Sequence, residues 1–369
     1  MSSKILITGG TGYLGRSLTK KYLECTDDPI LLLIRAKNQI DFQNKTENLN
    51  REFGFPKNRV TYFNFDLSEE KPLGEIDAKT IKLIIHTAAI TRFDVNQEDA
   101  ARVNVQGTAK LLQFADTCPS LEQIGLLSTI YSSGLRAGSI EEKPLSNELG
   151  FANHYEWSKW ELERSALEAF AHLPFSIFRS ATIIADCDNG QVTQYNVFHN
   201  TIRLIYQGLL TLLPGKSETP IYLVTGEFVT NAIFNILCLA PHENQRIFNL
   251  AHTKDRSITL GEIVEIAFEV FSKDEHFSKK RISKPRYIDL DTFNIVINQI
   301  DSFGSGSMRL AIASMQPFVR QLFIAKDIKN GQMAASINPY SDPMEREIIT
   351  RTCHFLLRTN WGKSFSAVN

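Results

Sequence analysis

Tyr155 and Lys159 stand four residues apart in YEWSK (155–159), a spacing that a helix turns into one face carrying a phenol and an ammonium. Upstream, the apolar run LLSTIYSSG (126–134) ends in two hydroxyls, Ser128 and Thr129. A hydroxyl, a phenol and an ammonium form a proton-transfer set. They can do so only if a strand end and a helix face bring them together.

A second cluster lies near the start of the chain. In ITGGTGYLG (7–15), Gly9, Gly12 and Gly15 recur every third residue between the apolar run Ile5, Leu6, Ile7 and a segment of helical spacing. Such glycines serve a tight turn, a close backbone approach and the packing of a helix on a strand, and the helix N-terminus then offers N–H groups to a pyrophosphate. About 20 residues on, where a carboxylate would bond the ribose 2′-OH of NAD, stand Arg35 and then Lys37. With Arg16 after the last glycine, two guanidinium groups could clamp a 2′-phosphate, which favours NADP(H). A free tyrosine, with a pKa of ~10, is a poor base at neutral pH. Beside Lys159 and a positive nicotinamide, its pKa is expected to fall toward the working range. Lys159 can also bond the nicotinamide ribose, and Thr129 can donate to a carbonyl oxygen gaining charge.

The elements needed to position these groups are legible. Strand-like runs near 4–8, 30–34, 60–65, 82–86, 124–128 and 175–179 alternate with helical patterns, which predicts an α/β fold with a doubly wound parallel sheet. All-apolar strands such as LLLI (31–34) suit burial on both faces. After residue 180 the pattern changes, and PIYLV (220–224) and RIFNLA (246–251) suggest a return to the first unit. The expected organisation is a Rossmann domain over 1–180, revisited around 218–255, and a substrate-binding, largely helical region over 181–369. Within the latter, TLGE (259–262) has the form of a capping box, and a loop is expected near NPYSDP.

The bulk composition narrows the partners. Forty basic residues against 41 acidic ones leave no global field to recruit nucleic acid. Five scattered cysteines without a C-x-x-C pair, and no H-E-x-x-H, argue against a disulfide framework and a metal site. No apolar stretch of signal or membrane-spanning length occurs, so a cytoplasmic location is expected.

TGGTGYLG, Asp66-Leu67, HTAA (86–89), NVQGTAKLL (104–112), STIYSSG and YEWSK occur in the order and spacing of the extended short-chain dehydrogenase/reductases, which residues 4 to 260 resemble. The resemblance implies that Gly9, Thr11, Gly12, Tyr13, Leu14, Gly15, Arg16 and Arg35 meet the cofactor. It also implies that Asp66 and Leu67 lie near the adenine, that Thr87, Ala88 and Ala89 line the cofactor, that Asn104 supports the proton relay, and that Thr129, Tyr155 and Lys159 are catalytic. LLLIRA, IIHTAAITRFD and LLSTIYSSG look most like the thioester reductase and fatty acyl-CoA reductase branch. Its members pass hydride from NADPH to an acyl thioester on coenzyme A or a carrier protein, giving aldehyde or alcohol. Two departures fall where substrate is held: Ser180 replaces the proline of an Arg-Pro pair, and LVTGEFV (223–229) replaces a Pro-Val-Asp-like segment.

The reading is an NADPH-dependent reductase, monomer or homodimer. Its rivals are an epimerase, dehydratase or 3β-hydroxysteroid-type dehydrogenase using the same residues, and a non-catalytic NADP sensor. HFSKKRISKPRY (276–287) could grip phosphates but reads as a solvated loop; MRLAIASMQPFVRQLFIA (308–325) could line an acyl tunnel or rest on a membrane, with core or lid packing favoured; His154 reads as structural.

Overall fold

A computed structural model describes residues 3–54, 59–69, 73–239, 246–303, 315–337 and 345–362. Seven strands, β1 (Lys4–Thr8), β2 (Ile30–Ile34), β3 (Val60–Asn64), β4 (Ile81–His86), β5 (Gln123–Thr129), β6 (Phe175–Ser180) and β7 (Arg246–Leu250), form one parallel sheet in the order β7-β6-β5-β4-β1-β2-β3. The order reverses between β1 and β4. Their carboxyl ends therefore open the crevice where doubly wound sheets take their ligands.

Burial on both faces explains the apolar strands. Ile5, Ile7, Leu32, Ile34 and Ile85 point into one core with α1 (Tyr13–Cys25), α2 (Gln39–Phe53) and the helix Gly226–Leu239. Leu6, Leu31, Leu33 and Ile84 point into the other with α3 (Gly107–Asp116) and α4 (His154–Ala169). This is the two-residue period of a strand with no solvent side.

The region after β6 is built of helices joined by short strand pairs. α5 (Val197–Gln207), α6 (Gly226–Leu239), α7 (Leu260–Phe271), α8 (Leu290–Phe303) and α9 (Glu345–Arg358) are its main helices. At α7 the Thr259 hydroxyl accepts from the Glu262 N–H while Glu262 accepts from the Thr259 N–H, the reciprocal cap of the TLGE signature. Two short parallel pairs, Thr182–Ala185 with Leu223–Thr225 and Gly138–Ile140 with Lys326–Ile328, stitch distant stretches together. The second brings the C-terminal region back beside the end of β5. The NPYSDP stretch and residues 308–314 lie outside the described residues. Among those described, no helix is long and apolar enough to cross a membrane.

Candidate active site

The glycine-rich loop follows β1 directly. Gly9 has φ +73°, and a Cβ there would stand 2.8 Å from both the Ala88 nitrogen and the Thr87 hydroxyl at the end of β4. A Cβ on Gly15 would lie 2.2 Å from the Gly9 carbonyl oxygen. Gly10, which spacing does not single out, is tighter than Gly12, because a Cβ would meet the Leu32 side chain at 2.4 Å. Gly12 caps α1 without a side-chain hydrogen bond, and no acidic residue occupies the first turn. The first N–H groups of the helix thus keep their positive end for an anion, and the bare glycine surfaces form a cradle that side chains would fill. These residues fit a dinucleotide pyrophosphate.

The other loop residues contribute differently from one another. Thr11 is exposed, Leu14 packs against the core, and the Tyr13 hydroxyl donates to the Asp186 carbonyl 3.2 Å away, over Gly226. What Tyr13 retains for a phosphate is its backbone N–H. Arg35, at the end of β2, is largely exposed, with its Nε 3.9 Å from the Asp66 carboxylate. Arg16 reaches across to Glu52 on α2, at 3.1 Å. The expected clamp is therefore uneven: Arg16 is held closely by Glu52, whereas Arg35 is more exposed and only loosely paired with Asp66. Asp66 closes the turn after β3 by accepting from Ser68, and Leu67 is buried against Gly107.

Behind the Thr87–Ala89 segment runs a buried hydrogen-bond chain. Thr108 donates to the Asn104 carbonyl, so its oxygen accepts from His86 Nε2 at 2.9 Å; Nδ1 then accepts from Thr8, whose oxygen accepts from the Ala88 N–H. Desolvation first, and the nearby Lys159 charge second, hold the His86 pKa down at about 3. His86 is a neutral strut, not an acid–base group. Asn104 sits in a π-helical turn, Ala101–Gln106, and clamps Ile90 through both its N–H and C=O while donating to Ser158. Ile90 in turn packs with Phe93 against Tyr155. The side-chain bonds of Asn104 shape the wall of the site and stop one residue short of the phenol.

Thr129 ends β5, and Tyr155 lies in the first turn of α4. Thr129 lies beside the buried phenol, and its hydroxyl donates to the Ser180 carbonyl at 3.3 Å and accepts from the Tyr131 N–H. Ser128 is not available in the same way, since its hydroxyl donates to Glu163. Glu163 is itself locked to Arg179 with an N–O distance of 2.6 Å, and Arg179, wholly buried, also donates to the carbonyls of Glu141 and Lys143. This network, anchored on the arginine before Ser180, holds the end of β5 in place. Lys159 donates to the Leu127 carbonyl at 2.8 Å, and burial lowers its pKa to about 8.

Burial works against the expected fall in the Tyr155 pKa. The Tyr155 pKa is raised, first by desolvation and then by the Glu156 carboxylate, against a smaller lowering by Thr129. Burial outweighs the neighbouring cation, whose ammonium is turned to Leu127. The residue rests as a neutral phenol.

Tertiary structure adds residues that no local pattern marks. Asn153 caps α4, accepting from the Glu156 N–H, and donates to the Pro317 carbonyl at 3.0 Å. Glu156, with no exposed surface, accepts from Ala152, Asn153 and Gln321, and burial raises its pKa to about 7. Lys326 donates to Ser133, Gly134 and Arg136 of the turn after β5, and burial lowers its pKa to about 8. Phe93 meets the Tyr155 ring edge-on at 5.6 Å and stacks on Phe318 at 5.1 Å. Residues 317–321 are thus tied to the start of α4, and Lys326 to the turn after β5. Their distance along the chain hid them.

The family model described as male sterility protein, an NAD-binding family, matches residues 7–233. Fatty acyl-CoA reductase wat of Drosophila melanogaster is 24% identical over 314 residues, covering 72% of this chain and 60% of that protein; this chain thus spans less than two thirds of that relative's length. Among solved structures, the terminal R domain of the myxalamid PKS-NRPS pathway superposes with a TM-score of 0.76 at 18% identity, over 98% of this chain and 92% of that one. An archaeal thiolation-reductase di-domain superposes with a TM-score of 0.70 at 18% identity, over 98% and 76%. The loop, the switch-point crevice and the match over more than half the chain agree: the chain belongs to the male sterility protein family, within the extended short-chain dehydrogenase/reductases.

Proposed function

We propose that this protein is an NADP(H)-dependent reductase of acyl thioesters, releasing an aldehyde that a second round can take to the alcohol. The observation that carries the reading is a buried Tyr155 on the same helix as the buried Lys159, beside Thr129 at the end of β5. A reduction needs an acid at the carbonyl oxygen, and burial keeps this one in its acid form. The fatty acyl-CoA reductase relative supports a thioester substrate, and the thiolation-reductase neighbour supports a carrier-bound substrate as well as a coenzyme A ester. Cys25, Cys118, Cys187, Cys238 and Cys353 are all unpaired thiols, which supports a reducing compartment such as the cytoplasm.

When bound, the dinucleotide supplies hydride to the carbonyl carbon. Thr129 orients the carbonyl oxygen by turning its hydroxyl from the Ser180 carbonyl, 3.3 Å away, to donate to it, and Tyr155 gives that oxygen its proton. Lys159, fixed through one N–H to Leu127, keeps two donors for the ribose. The tetrahedral adduct then loses its thiol as the C–S bond breaks, with the hydroxyl proton leaving to the sulfur. Asn104 acts as a positioning residue through Ile90. Arg35, with no carboxylate in the 2′-OH position, supports NADP(H) over NAD(H).

The test is oxidation of NADPH by the purified protein with acyl-CoA thioesters and the matching aldehydes. Turnover on thioesters that falls ~100-fold or more in Tyr155→Phe is expected, in keeping with general-acid contributions. Arg35→Ala should raise KM for NADPH and leave KM for NADH in place. Net NADPH consumption also separates a reductase from an epimerase, which returns its hydride. Full activity in Tyr155→Phe would end the proposal.

A further inference from the structure

The basic run 276–287 is only in part a solvated loop. Lys279 pairs with Glu275 and Lys284 with Glu265, as solvated charges do. His276 and Lys280 instead border a cleft of about 350 Å³ together with Arg203, Gln207, Asn360 and Trp361. The spacing of Arg203, Tyr206 and Gln207 puts all three on one face of α5 at its far end. At the near end, Asn196 donates to the Ile183 carbonyl just past β6, and the 11 residues of the helix then carry the chain ~16 Å away. Among the described residues, the cleft shares none with the glycine-lined crevice or the catalytic set.

Its chemistry has three parts. The first is charge: among the described residues, Arg203 and Lys280 make no ion pair and no side-chain hydrogen bond. Asp274, the carboxylate on the border, is already committed, its Oδ1 accepting from the Tyr206 hydroxyl at 2.9 Å and from the Phe277 N–H at 3.0 Å. The cleft therefore keeps positive charge to balance. The second is an aromatic wall, the Trp361 ring lying 5.4 Å from that of Tyr206. Trp361 has φ +59° and Asn360 before it φ +45°, a left-handed backbone that a bulky residue rarely adopts, and this turn sets the indole against Tyr206 and Phe271. The third is a pair of amides, Gln207 and Asn360, which make no side-chain hydrogen bond among the described residues and offer a donor and an acceptor each.

A bare anion would use the cations alone, and an apolar guest would leave them unmatched. A heteroaromatic base carrying a phosphate uses all three parts, and the volume falls in the ~300–1,000 Å³ range of small-molecule sites. We propose that this cleft is a second nucleotide site, which takes a nucleoside phosphate with the phosphate at Arg203 and Lys280, the base beside Trp361 and its polar edge read by Gln207 and Asn360. The assignment does not rest on the reductase reading.

The experiment is a calorimetric titration of the full chain with ADP, GDP and UDP, repeated on Gly15→Ala, Arg203→Ala, Lys280→Ala and Lys279→Ala proteins whose melting curves show them folded. At least one nucleotide should bind saturably, with an affinity kept in Gly15→Ala and Lys279→Ala and weakened at least tenfold in Arg203→Ala and in Lys280→Ala, in keeping with lost charged hydrogen bonds. Inorganic pyrophosphate should bind at least tenfold more weakly than that nucleotide. Displacement of the nucleotide by coenzyme A would assign the site to the nucleotide end of that molecule, and no displacement to a free nucleotide. Absence of saturable binding by all three, binding that is lost in Gly15→Ala but kept in the Arg203 and Lys280 variants, or pyrophosphate binding as tightly as the nucleotides overturns the proposal. No readout involves turnover, so a failure of the thioester reading would leave this site standing.

Discussion

At the scale of single residues, one lysine and one tyrosine set the pH behaviour of the proposed reaction. Tyr155 stays protonated through the neutral range because burial penalises its anion more than Thr129 favours it. Lys159 is different: burial takes its pKa down to about 8, so the ammonium exists below that pH and is lost above it. Since kcat/KM reports groups of the free enzyme, the rate of reduction should be level between pH 6 and 7 and fall as pH rises through about 8. Lys326 titrates in the same range but faces the turn at 133–136, so Lys326→Met should keep the limb. A limb that disappears in Lys326→Met, or lies near 10, would remove Lys159 from its role.

At the scale of elements, the site depends on backbone running where a side chain would otherwise be. The Gly9–Gly15 approach couples the end of β1 to the first turn of α1, and at 2.2 Å neither side is a flexible side chain that could give way. Gly15→Ala should therefore push the loop off the helix, weaken NADPH binding by more than tenfold in a fluorescence titration, and lower the melting temperature in line with ~1–3 kcal/mol of overpacking. Gly331→Ala, at an open helix start where an added Cβ meets nothing within 4 Å, is the control and should behave as wild type. Wild-type affinity for NADPH in Gly15→Ala would mean that the loop does not hold the cofactor.

At the scale of the whole molecule, a C-terminal segment and α4 share a buried polar joint made of Asn153, Glu156, Gln321 and the Pro317 carbonyl. The Glu156 pKa is raised in the fold, to about 7, because burial penalises the carboxylate. Its contribution to stability is then complete below the unfolded value of about 4.5 and is lost as pH rises through about 7, since the folded state binds the extra proton in that window. Denaturant melts of wild type and Glu156→Gln should show wild type losing stability relative to the variant between pH 4.5 and 7. Parallel pH profiles for the two proteins would show that the joint is not where this proton sits.

The sequence by itself determined the parallel sheet, the glycine turn and the α7 cap, because each is written in local periodicity or in a conformation few residues tolerate. It also brought Tyr155 and Lys159 onto one helix and placed Thr129 at a strand end. Only the tertiary structure decided what those groups are chemically. Burial is a property of everything packed around a side chain; it favours the neutral form of Tyr155 and makes His86 a strut, while Ser128 is committed to Glu163. The wall of the site at Phe318, and its ties through Gln321 and Lys326, come from residues more than 150 positions away from Tyr155 in the chain. No periodicity spans such a separation; only the return of the chain across the sheet does.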